Sequence, residues 1–217
     1  MAVNPKRRQK KLMKKRQKDK ARKKKLAGST PFALLTARRK ILQARNFSIY
    51  ECLINPSWKE GGLATILLSR QQPNGHILFG FYLVDIYCLG LKNTFCNADF
   101  SLWRYETEVR ERIHPEEDPV ECPISLAHHI VYGGIEFAAQ FGFRPNKDFE
   151  LSQYVLEDKN SIESCEGIEF GKDGQPFYIA GPDDNVGYII RQLESKAGEG
   201  NFKFICRADE AVFWDDG

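Results

Sequence analysis

The chain has 217 residues, 42% of them apolar and 28% charged, with a net charge of +3. No run reaches the ~18 apolar residues that a bilayer span needs. The N-terminus has neither the apolar segment of a secretory signal nor the serine content of a transit peptide, so a cytoplasmic protein is expected, or a nuclear one in a eukaryote.

The small net charge hides a division. Residues 1–45 hold 18 of the 32 basic residues and one acid, Asp19; residues 46–217 carry a net −14. Fourteen of the basic residues lie in the first 25 positions: Lys6, Arg7, Arg8, Lys10, Lys11, Lys14, Lys15, Arg16, Lys18, Lys20, Arg22, Lys23, Lys24 and Lys25. Past Met1 and Val3, only Leu12, Met13 and Leu26 are large and apolar in residues 1–28, with no helical stripe, so a disordered basic arm is expected there. Charge this dense attracts polyanions, and each phosphate it neutralises releases counterions. Lysines outnumber arginines and aromatics are absent, which predicts backbone contacts without base reading. RNA or another polyanion is the expected partner. In a eukaryote the run would also read as a nuclear localisation signal.

Gly28-Ser29-Thr30-Pro31 reads as a hinge between the arm, 1–28, and one α+β domain, 29–217. A short helix should follow, with Leu34, Leu35, Ile41 and Leu42 inward and Arg38, Arg39 and Arg45 outward. Strands are predicted over Phe47–Ile54, Leu63–Ser69 and His76–Cys88, the last two joined by a Gln72-Pro73-Asn74-Gly75 hairpin turn. The apolar run Ile77–Ile86 predicts a central strand covered on both faces. Leu89–Asn97 is expected to turn away through Gly90. Together these give a mixed or antiparallel sheet packed with several helices.

Ser101 is a predicted N-cap for a polar helix to Ile113, followed by an acidic loop from His114 to Pro119. Pro123 should open a long helix to Phe141, its inward face Ala127, Ile130, Val131, Gly134, Ala138 and Phe141. Asp148–Leu156 predicts another short helix. Ile168–Phe170 and Phe177–Ala180 are expected as a hairpin around Lys172-Asp173-Gly174. Asp183 or Asp184 should cap a helix over Val186–Lys196, and Phe202–Cys206 should be a last strand.

Six cysteines occur, at positions 52, 88, 96, 122, 165 and 206. None forms a CxxC pair, so reduced thiols rather than a zinc site are expected, and no cofactor is implied. His128 and His129 are adjacent on the long helix and point ~100° apart, which prevents a shared metal. His129, Gly133, Glu136 and Gln140 share one stripe, with Gly133 leaving a notch between imidazole and carboxylate. Asp85 interrupts the most apolar strand and must find donors or shift its pKa, with Lys92 a candidate partner. Asp85, His129 and Glu136 therefore form a candidate acid/base site for a hydrolase or nuclease. The plainer reading gives Asp85 a structural contact and makes Gly133 and Gly134 a close-packing face. A third reading is an adaptor whose acidic body binds protein.

Phe81-Tyr82-Leu83-Val84-Asp85-Ile86-Tyr87-Cys88-Leu89-Gly90-Leu91-Lys92 and the Ala127–Asp148 segment, with its Ala-His-His, Tyr-Gly-Gly and Phe-Gly-Phe-Arg-Pro-Asn-Lys-Asp pieces, resemble uncharacterised bacterial cytoplasmic proteins. Some of those carry a C-terminal SEC-C type zinc motif, whose Cys/His cluster is missing here. The resemblance covers residues 47–156. It implies a cytoplasmic protein and transfers no catalytic residue.

Overall fold

The two apolar runs flanking Gln72-Pro73-Asn74-Gly75 pair as antiparallel strands, Leu63–Gln71 with Ile77–Asp85, within a computed structural model that describes residues 31–113, 117–161 and 167–206. The expected disordered arm, His114 to Glu116 of the acidic loop, Cys165 and the acidic C-terminus lie outside the described residues. The chain divides into two units, Met1–Arg39 and Lys40–Gly217.

The first helix, α1, spans Pro31–Leu42. Arg38 and Arg39 are exposed and Ile41 is buried, but Leu42 is exposed, contrary to its expected inward place. Arg45 also departs from expectation. Its guanidinium turns into the body and donates to the carbonyls of Leu156 (2.9 Å) and Gln153 (3.3 Å).

Strands β1 (Ser48–Ile54), β2 (Leu63–Gln71), β3 (Ile77–Asp85), β4 (Gly90–Phe100) and β5 (Val120–Glu121) form one antiparallel sheet in the order β4-β3-β2-β1-β5. The β2–β3 turn closes through Gln72 N–H to His76 O (2.8 Å), with Gly75 at φ +78°, a left-handed conformation that glycine adopts without a Cβ penalty. The segment expected to turn away after Leu89 is instead β4, the longest strand. Gly90 makes the tight turn at φ +65°, and the chain then runs back along β3.

Side chains alternate across the sheet. Leu53, Leu67, Ile77 and Phe79 pack with Tyr105 and Val109 from the helical segment after β4. That segment runs Leu102–Tyr105, passes through a π-helical turn at Glu106–Arg110 and ends at Glu111–Ile113. Ser101 caps it as expected, its Oγ accepting from Arg104 N–H. The long helix α2 spans Ile124–Gln140 and buries Ala127, Ile130, Val131, Gly134 and Ala138, with His128 among them. Burying that face contributes on the order of several kcal/mol at ~25 cal/mol per Å². Gly134 permits the approach, since a Cβ there would sit 2.7 Å from Val84 Cγ1.

The helix expected over Asp148–Leu156 is a single turn, Phe149–Ser152, that continues as turns. Beyond it the expected hairpin does not form. Only Lys172 and Gln175 bridge, while β6 (Phe177–Ile179) pairs in parallel with β7 (Lys203–Ile205) across α3 (Val186–Ala197). Asn185, not an aspartate, caps α3 by accepting from Tyr188 N–H. Among the described residues no helix is long and apolar enough to cross a membrane.

Candidate functional site

Asp85 ends β3 beside the tight turn into β4, paired with Leu63 on one side and Gly90 on the other. One carboxylate oxygen accepts from Tyr87 N–H and Cys88 N–H, both at 2.9 Å. The side chain therefore organises the turn as an acceptor for backbone donors. Burial is the main influence on its acidity and pushes the carboxyl up to about 6, against the lowering effect of Lys92 and the backbone donors. A carboxyl in that range can exchange a proton near neutral pH.

A cavity of about 590 Å3 opens beside it, walled by Leu63, Leu83 and Ile179, with Asp85, Lys92 and Asp184 among its charged groups. Lys92 does not bond Asp85. Its ammonium lies 2.9 Å from Asp184, which also accepts from Gly181 N–H (2.9 Å) and Tyr178 O–H (3.3 Å). The aspartate expected to cap α3 is thus the partner of Lys92, 92 residues away. On the other side of this ion pair lies a second cleft of about 700 Å3, walled by Leu91, Phe143 and Tyr188 and also reached by Arg144.

The other two candidate residues line neither cleft. His129 is half-buried, its ring 5.9 Å from that of Phe170. Glu136 is exposed and pairs with Lys159 at 2.6 Å. The notch over Gly133 is filled by Phe170, whose ring atoms would lie 2.4 Å from a Cβ at that position. His128 is buried, 3.1 Å from Asp158 O through Nε2 and 4.5 Å from the Tyr132 ring. Burial lowers its pKa, which favours neutral imidazole. Among the described residues, no group of three or more His, Cys, Asp or Glu side chains is placed to hold a metal ion.

Asp85 is recognisable in sequence as a carboxylate inside an apolar strand. Asp184 as its neighbour across the cavity has no such signal, because Gly181-Pro182-Asp183-Asp184 reads only as a turn before a helix. The fourteen basic residues of 6–25 lie outside the described residues. No family model, curated protein or solved structure matches the chain.

Proposed function

We propose that this chain is an RNA-associated accessory protein, most naturally a ribosome-associated one, that grips phosphate backbone through residues 6–25. One observation carries the reading. Fourteen basic residues and a single acid occupy the first 25 positions, ahead of a stretch, 46–217, with a net charge of −14. Such a stretch repels polyanions, so the phosphate contacts fall to the basic run. A titration of labelled RNA across a salt series tests it. If about half of the basic residues reach phosphates of a single strand, log K falls against log[salt] with a slope of about −4 to −5. Scrambling the RNA sequence leaves affinity nearly unchanged, because the contacts are to backbone. Replacing the fourteen basic residues by glutamine abolishes binding. Binding that survives this replacement, or ignores salt, overturns the reading.

A second reading is a hydrolase, favoured by the buried Asp85 carboxyl, raised to about 6, at the wall of a cavity that also holds Lys92. It rests on those two residues, since His129 and Glu136 lie outside that cavity. A panel of ester, phosphoester and glycoside substrates tests it: turnover lost in Asp85→Asn supports it, and no turnover by the unaltered protein ends it.

A further inference from the structure

We propose that Cys52 and Cys122 form a peroxide-sensitive dithiol that closes to a disulfide joining β1 to β5. Cys52 is a buried residue of β1, and Cys122 directly follows β5 and is partly exposed. The β1–β5 register pairs Leu53 with Glu121, and Cys122 N–H donates to Cys52 O at 2.9 Å, so the two cysteines stand directly opposite. Opposed residues of a hydrogen-bonded antiparallel pair have Cα atoms about 5.5 Å apart, inside the window of about 4.4–6.8 Å that a disulfide spans. The two sulfurs are 3.5 Å apart. Closing that gap needs a side-chain rotation and no movement of strands.

The pair is also divided in role. The contact with Cys52 holds the Cys122 thiol below its ordinary value, whereas Cys52 is raised by that same contact and by burial. Cys122, the more exposed of the two and next to the open edge strand, is the nucleophile, and buried Cys52 is the resolving thiol. β5 is the outermost strand of the sheet, with Val120 and Glu121 exposed, which gives a small hydroperoxide access to Cys122.

The Cys122 thiolate attacks the peroxide O–O bond, takes one oxygen as sulfenic acid and releases the other as an alcohol, or as water from hydrogen peroxide, after protonation. Cys52 then attacks the sulfenic sulfur, the S–S bond forms, and hydroxide leaves with the Cys52 proton as a second water. Two thiols are oxidised to one disulfide and one peroxide is reduced. Cys88 serves as an internal control, since it is buried and burial raises its thiol.

Peptide mapping of the full-length chain after a stoichiometric dose of hydrogen peroxide tests this. The expected product is a Cys52–Cys122 cross-linked peptide, about 2 Da lighter than the two reduced peptides together and restored by dithiothreitol. In Cys52→Ala, Cys122 should stop at sulfenic acid and be trapped by dimedone. The unaltered protein decides the matter even if that variant folds poorly. Both thiols remaining open to alkylation after peroxide, or a disulfide to another cysteine instead, overturns the proposal.

Discussion

Two of the ion pairs that tie later parts of the chain to the sheet are built on different plans. Arg70 leaves β2 with its side chain 2% exposed and divides its donors among Val155 O (2.8 Å), Phe47 O (3.0 Å) and the Glu157 carboxylate (2.5 Å). Its planar fork is shared among three acceptors, and it lines neither of the two clefts. Lys92 leaves β4 paired with Asp184 and stands between those clefts. The first arrangement fixes a segment permanently. The second leaves a charged pair within reach of anything that enters the clefts. Arginine suits the first because its geometry matches several acceptors at once, and lysine suits the second because it is a point charge on a flexible stem.

Arg70→Ala is the most damaging substitution at either tie. It removes the guanidinium donors to Glu157, Val155 O and Phe47 O, and removal of one side of a buried pair costs about 3–5 kcal/mol. Chemical unfolding should show that loss in the midpoint. Arg70→Lys should recover only part of it, since one ammonium cannot serve three divergent acceptors. Full recovery by lysine would erase the distinction between the two ties.

The open tie has a titratable neighbour in Asp85. Burial raises that carboxyl to about 6, while the unfolded chain titrates near 4. Between those values the folded chain holds a proton that the unfolded chain has released. The stability this contributes is full below pH about 4 and is lost as pH rises through 6, a total of about 2–3 kcal/mol. Asp85→Asn keeps an acceptor for Tyr87 and Cys88 N–H and never ionises. Urea unfolding of both proteins from pH 4 to 7 should show the difference between them growing in the variant's favour. A constant difference would mean that Asp85 ionises as freely in the fold as outside it.

Lys92→Met should cost about 1–2 kcal/mol, less than the arginine change, because Asp184 retains Gly181 N–H and Tyr178 O–H as donors. The same substitution should move the Asp85 transition to higher pH, because the Lys92 charge normally lowers that carboxyl. A stability loss without movement of the transition would separate the two residues electrically and weaken the view of the cavity as one site.

The closed parts of this fold are legible in the sequence and the open parts obscure. β2 and β3 are readable because both their faces are covered, so their apolar residues run nearly unbroken to a Pro-Asn-Gly turn. β4 is masked because its buried positions, Leu91, Thr94 and Ala98, are interleaved with Lys92, Asn93 and Asn97, a pattern that a turn would also give. The β6–β7 pairing joins strands across a helix, and no local turn signals a parallel contact. Asp85 stands out by chemistry alone. Arg70 does not, since a charge ending an apolar run usually marks the strand's exit to solvent. The Gly133 notch is visible in the helical spacing, but the aromatic ring that fills it comes from Phe170, 37 positions on, which that spacing cannot supply.

The weakest effect belongs to a third pair, at the exposed limit of the same series. Lys159 and Glu136 pair at 2.6 Å, yet their side chains are 53% and 59% exposed, against 2% and 29% for Arg70 and Glu157. Water solvates both charges nearly as well apart as together, and holding two long side chains in register costs entropy. Glu136→Ala should therefore change stability by less than about 0.5 kcal/mol, with the small effect shrinking further in high salt. Thermal unfolding of the variant at low and high ionic strength measures both. A loss above about 1 kcal/mol would mean that Glu136 holds something besides Lys159. The His129–Phe170 contact on the same helix stripe would be the first place to look, through a double-mutant cycle with His129→Ala.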